Sequence, residues 1–139
     1  MTQRVREIMT PHPVTLTERA PIREAARLMR ERGIGEVVVV DAERVRGVVT
    51  DRDLTVRAMA DERNPSLTTV GQVCSRELVT CAPGDTVDDT VRLMREHALR
   101  RLPVVDGGRL VGTLTLGDVA VAQDPDSALA GITRARPNR

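Results

Sequence analysis

The sequence predicts an α/β fold (α+β in strict layer terms) built from two β-α-β-β-α units related by a pseudo-twofold axis. Three observations predict it. Residues 5–57 recur at 70–122 with a constant offset of 65 and no gap: Arg27-Leu28-Met29-Arg30-Glu31 returns as Arg92-Leu93-Met94-Arg95-Glu96, and Val39-Val40-Asp41 as Val104-Val105-Asp106. Within each copy, helical spacing alternates with short β-branched runs bounded by turn residues. Finally, Gly47-Val48-Val49-Thr50-Asp51-Arg52-Asp53 returns as Gly112-Thr113-Leu114-Thr115-Leu116-Gly117-Asp118, which puts a polar Thr-x-x-Asp at the same point of each copy. Two related sites facing such an axis suit binding better than one asymmetric catalytic centre.

Each element has its own signal. Residues 5–9 read as a short helical lead-in, and Val14, Thr15 and Leu16 as a brief extended piece after Pro11 and Pro13. Pro21 suits a first helical position, and Ile22, Ala25, Ala26 and Met29 follow at helical spacing. In the second copy Asp85 stands as the N-cap, Asp88 and Asp89 complement the positive helix end, and Val87, Val91 and Met94 form the matching stripe. Leu28 and Leu93 widen both stripes, which predicts packing against another repeat or another subunit. Glu36, four valines at 37–40 and Asp41 read as a strand buried on both faces. A turn at 42–44 leads to a strand over 45–50 and a helix from Asp51 to about Met59. The predicted organisation is a first repeat at 1–59, a polar linker at 60–69, a second repeat at 70–122 and a loose polar tail at 123–139.

Composition narrows the function. With 139 residues, 40% hydrophobic and 29% charged, the chain can bury an ordinary globular core. No apolar run approaches the roughly 18 residues of a membrane span, and residues 1–7 carry no apolar signal segment. A cytoplasmic location is expected. A net charge of +1 and the absence of Phe, Tyr and Trp argue against nucleic acid as a partner. Cys74 and Cys81 align with Met9 and Leu16, apolar positions of the first copy, and their spacing fits no zinc or redox motif. They read as buried free thiols. His12 and His97 align with Glu77 and Arg32, surface-type positions. No catalytic triad, carboxylate pair, phosphate loop or metal-ligand set can be assembled, so neither enzymatic activity, a metal nor a resident cofactor is expected.

The Thr-x-x-Asp segments admit two readings. Each is a capping box, with Thr accepting from the third helical N–H and Asp reaching back to the Thr N–H. A repeat would copy its caps in any case. The same geometry also suits a nucleotide: a helix N-terminus attracts phosphate, and a carboxylate one turn in can hold ribose hydroxyls. Gly47, Gly112 and Gly117 would allow close backbone approach.

The strand Arg100-Arg101-Leu102-Pro103-Val104-Val105-Asp106 and the two Gly-h-h-Thr-x-x-Asp segments together resemble the tandem cystathionine β-synthase (CBS) domain pair, over nearly the whole chain. The resemblance implies a regulatory module that senses an adenosine-type ligand (AMP, ADP, ATP or S-adenosylmethionine) in clefts between repeats, forms a homodimer and acts on a further protein. By position, Asp53 and Asp118 would hold ribose and Thr50 and Thr115 would face phosphate. Adenine contacts would come from Ala20, Ile34 and Glu36 in one cleft, and from Asp85, Leu99 and Arg101 in the other. Arg100 and Arg101 would face phosphate. The first copy departs from the pattern, with Gly35 and Glu36 at the arginine positions and Val38 in place of Pro103. The resemblance therefore implies unequal sites, the second favouring phosphate.

Overall fold

The computed structural model describes residues 2–135, which divide into two compact units. Among the described residues, one unit joins residues 2–13 to 79–135; the other spans residues 14–78. These units do not follow the linear repeats, because each lead-in has joined the other copy's core. In the first unit, helix α1 (Val5–Ile8) sends its Val5 N–H to the Asp85 carbonyl at 2.9 Å and its Arg6 N–H to the Pro83 carbonyl at 3.0 Å. In the second, α4 (Val70–Val73) repeats these bonds from Val70 to the Ala20 carbonyl at 2.8 Å and from Gly71 to the Glu18 carbonyl at 3.0 Å.

The unit over 14–78 contains β2 (Thr15–Thr17), α2 (Ile22–Arg32), β3 (Glu36–Asp41), β4 (Arg44–Thr50), α3 (Asp51–Asp53), a π-helical segment Leu54–Met59, and α4. Strand β2 runs parallel to β3, and β4 antiparallel to β3, so the valine run is paired on both edges. Ile22, Ala25 and Met29 of α2 close over Val37, Val39 and Val49, joined by Val70, Val73 and Cys74 from the lead-in. Ala26, fourth member of the predicted stripe, is exposed. Helix α2 starts one residue later than predicted: Pro21 is the N-cap, in extended backbone.

The other unit contains α1, β1 (Thr10–Pro11), α5 (Val87–His97), β5 (Arg101–Asp106), β6 (Arg109–Thr115), α6 (Leu116–Gln123) and α7 (Ala128–Arg134). Strand β6 pairs antiparallel with both β5 and β1. The core sets Val87 and Met94 of α5 against Leu102, Val104 and Leu114, with Val5 and Cys81 filling in. Both cysteines are buried free thiols. Burial pushes the Cys81 thiol up to about 11, with Asp85 adding to it, and burial also raises Cys74.

Two expectations are corrected here. Thr86, not Asp85, caps α5: its hydroxyl accepts the Asp89 N–H at 3.1 Å, while the Asp85 carboxylate accepts the Ala82 N–H at 2.9 Å. Asp85 is thus consumed by the turn before the helix. The expected loose tail holds α7, capped by Ser127 and anchored by the fully buried Ala130; residues 136–139 of that expectation lie outside the described residues.

The two β-hairpins show how sequence meets backbone. Both use two-residue turns with positive φ at each centre, the arrangement that matches strand twist. The second uses Gly107 and Gly108; the first forces Ala42 (φ 51°) and Glu43 (φ 69°) into the left-handed region. At the helix ends the roles reverse, with Gly33 closing α2 at φ 65° and Ala98 closing α5 at φ 52°.

Candidate functional site

Thr50 and Thr115 end their strands in extended backbone and cap the helices that follow. Thr50 Oγ1 accepts the Asp53 N–H at 3.1 Å, and Asp53 Oδ2 accepts the Thr50 N–H at 2.9 Å. Thr115 Oγ1 and Asp118 Oδ2 repeat the exchange, both bonds at 3.0 Å. Both capping boxes are closed. Each turn keeps one carboxylate oxygen and one hydroxyl proton for other partners.

What meets that carboxylate differs. Asp118 receives the Thr10 hydroxyl, 3.2 Å from both oxygens, from the lead-in that joined this unit. Asp53 Oδ1 lies 3.7 Å from Arg57 Nε. The same guanidinium donates to the Val73 and Cys74 carbonyls at 3.3 and 3.2 Å, tying the π-helical segment to the end of α4.

The first-turn N–H groups differ as well. Asp51 N–H and Leu116 N–H each bond the residue just before the paired neighbouring strand, at the Gly35 carbonyl before β3 and the Arg100 carbonyl before β5 (3.0 and 2.8 Å). The next N–H separates the copies. Arg52 N–H is taken by the Asp51 carboxylate at 2.9 Å. Gly117 N–H has no such neighbour, because Leu116 stands where Asp51 stands. The first turn therefore carries its own anion over a donor that a phosphate would use. Asp51 also leans on Gly35, whose absent Cβ would lie 3.1 Å from Oδ2.

The remaining predicted residues fall around these turns. Glu36 pairs in register with Thr50 across β3 and β4, and Arg101 with Thr115 across β5 and β6. Arg100 and Arg101 are exposed, Glu36 is half-buried and Leu99 is 37% exposed. Ala20 and Ile34 pack partly into the core of their unit, so their side chains serve the fold whatever else they touch. Thus Thr50, Asp53 and Glu36 share one unit, and Thr115, Asp118, Arg100 and Arg101 the other.

The glycines are used differently from the expectation. A Cβ on Gly47 would lie 2.7 Å from the Ser75 carbonyl and 2.8 Å from Cys74 Sγ; one on Gly112 would lie 2.8 Å from Met9 Sδ and 2.9 Å from the Thr10 carbonyl. The close neighbour is the lead-in of the other copy. At Gly117 it is Thr133 of α7, with Oγ1 at 2.6 Å. Sequence reasoning missed Asp51, Arg57, Thr10 and Thr133. Asp51 alone was visible as an acid at the first helical position; the others depend on chain segments distant in sequence or on an unexpected helix.

Two units of one topology, each ending a strand in the same capped polar turn, define a class of duplicated binding-type modules. The CBS domain family model matches residues 5–59 and 70–124, and the chain belongs to that family. It is 40% identical over 119 residues to the CBS domain-containing protein YhcV of Bacillus subtilis, covering 86% of this chain and 84% of that one. Among solved structures it resembles Hypoxic Response Protein I with two coordinated zinc ions: TM-score 0.78, 30% identity, 86% of this chain and 98% of that one. It also resembles the CBS domain pair of protein MJ0100 in complex with 5′-methylthioadenosine and S-adenosyl-L-methionine: TM-score 0.80, 24% identity, 91% of this chain and all (100%) of that one. Among the described residues no three His, Cys, Asp or Glu side chains gather as a metal-ligand group. Nor, among the described residues, is any helix long and apolar enough to cross a membrane.

Proposed function

We infer that the chain is a regulatory module that binds an adenosine-containing ligand at its Thr-x-x-Asp turns and passes the change to a partner protein. The observation that carries this reading is the paired turn itself: a family-matching CBS unit in each copy, each with a threonine hydroxyl proton the cap does not use and a carboxylate that also meets a further side chain, Thr10 at Asp118 and Arg57 at Asp53. The adenosine and sulfonium ligands named for the MJ0100 relative point to the same ligand class. Within this reading Asp53 and Asp118 take ribose hydroxyls. Thr115, Arg100, Arg101 and the Gly117 N–H favour phosphate, whereas Asp51 and Glu36 disfavour it, so the turn at 50–53 suits an uncharged or cationic adenosine derivative. A homodimer through the α2 and α5 faces belongs to the proposal, motivated by the half-buried Leu28 and Leu93 beside the core residues Met29 and Met94.

One observation favours a second reading. Because both Thr and Asp pairs are already satisfied as caps, they need no ligand, and the module could act through dimerisation alone. A thermal-shift panel of AMP, ADP, ATP, S-adenosylmethionine and adenosine separates the two. A ligand at 100 times its dissociation constant should stabilise the folded chain by about 2.7 kcal/mol. No shift with any member of the panel would remove the ligand reading and leave the scaffold.

A further inference from the structure

The first copy has nothing comparable to α7. This helix lies on α6, the helix that the second Thr-x-x-Asp turn begins. It meets α6 through small residues: Ala130 is fully buried, and Thr133, itself exposed, lies over Gly117 inside the turn, where an added Cβ would meet its Oγ1 at 2.6 Å. The larger apolar residues Leu129 and Ile132 face outward, 39% and 71% exposed. Thr133 donates its hydroxyl proton to the Leu129 carbonyl at 2.7 Å, and Arg134 donates back to the Pro125 carbonyl at 2.6 Å, so α7 is braced internally. A self-contained helix held by little buried apolar area belongs to the low-stability end of a structure, where local opening is easy.

Gly117 is where this helix and the proposed site meet. It is the one residue of the 115–118 turn without a side chain, and the space is taken by Thr133. Its counterpart in the first copy is Arg52, whose side chain is exposed. A helix seated there could not tolerate that arginine.

We propose that α7 is an autoinhibitory latch on the second site: seated on Gly117, it restricts access to the 115–118 turn, and an adenosine phosphate entering the turn releases it. This rests on the ligand reading above. Because linkage is reciprocal, releasing α7 by mutation must raise ligand affinity by the factor by which the ligand loosens α7. Leu129 and Ile132 then travel with the latch, so its position is an output that a partner can read.

The test uses the full chain with Ala130→Arg, which places a charge at the buried contact, and separately Thr133→Leu, which is too large to sit on Gly117. Neither residue belongs to the turn. Circular dichroism and a thermal melt check that each variant is folded, and hydrogen exchange of residues 128–134 checks that α7 is released. AMP titration calorimetry should then show at least 5-fold tighter binding in both variants. In the wild type, AMP should speed exchange across α7. Equal affinity in wild type and released variants overturns the latch while leaving the ligand reading intact. Silence in all three proteins at millimolar AMP overturns both. Binding seen only in the released variants is the strongest form of the expected result.

Discussion

The turn at 50–53 and the turn at 115–118 have the same backbone and opposite electrostatic settings. Both are closed by a threonine and an aspartate bonded to each other's N–H groups. Around the first stand Asp51 on the Arg52 N–H and Glu36 opposite Thr50. Around the second stand Leu116, Arg100 and Arg101, with the Thr10 hydroxyl on Asp118. The cap is what the fold requires at a strand-to-helix junction, and both copies keep it. The flanking side chains are free to change, and it is they that set which charge each turn can receive.

The cores differ in the same way, and this gives the largest expected effect. Leu102 and Leu114 in one unit stand where Val37 and Val49 stand in the other, all fully buried. Leu102→Ala should cost about 2–5 kcal/mol. Val37→Ala removes less and should cost about 2 kcal/mol. Urea denaturation of both variants checks the order; equal losses would mean that one core relaxes around its cavity and the other does not.

Next come the glycines that receive the exchanged lead-ins. Gly47→Ala and Gly112→Ala should each destabilise by about 1–3 kcal/mol. The loss at Gly47 should be slightly larger, because the backbone carbonyl a Cβ would meet there, Ser75, lies at 2.7 Å, whereas the Thr10 carbonyl at Gly112 lies at 2.9 Å. The reverse order in the same denaturation assay would break the comparison.

The left-handed positions offer a reciprocal exchange. Ala42→Gly and Ala98→Gly should each stabilise by about 1 kcal/mol, and Gly33→Ala and Gly107→Ala should each destabilise by about as much. Chemical denaturation that finds all four neutral would show that the strain is relieved locally.

The last effect is absent at neutral pH and comes from the cysteines. Below pH 9 the Cys81 thiol keeps its proton, folded or unfolded. Between 9 and about 11 the unfolded chain loses it while the buried thiol does not, so this group lowers stability as pH rises through that window. Cys81→Val should flatten that decline when melts are compared from pH 8 to 11, and Cys74→Val should act in the same direction.

Much of this was legible in the sequence because it is local. The repeat, the valine strand, the helical stripes and the Thr-x-x-Asp caps depend on neighbours within a few residues. Three things were not. The lead-ins at 5–8 and 70–73 have the right local character but pack on the other copy's core, a choice made by Gly47 and Gly112 across long sequence separations. Helix α7 is short and polar-flanked, and its one fully buried residue is an alanine, too weak a stripe to read. Asp85 looked like a cap because acids favour that position, yet Thr86, one residue on, has the hydroxyl in place and Asp85 turns back to Ala82. The flanking charges of the candidate sites were visible in the sequence. That Asp51 already occupies its own helix's donor was not, since it requires the side-chain conformation.

The two turns should receive phosphate unequally, and AMP titration calorimetry on wild type, Asp118→Ala and Asp53→Ala measures the difference. A hydrogen bond involving a charged group is worth about 1.5–3 kcal/mol, so Asp118→Ala should weaken AMP binding roughly 10- to 150-fold. Asp53→Ala should change it far less. Equal losses in the two variants would contradict the account, because they would make the turns equivalent despite Asp51, Glu36, Arg100 and Arg101.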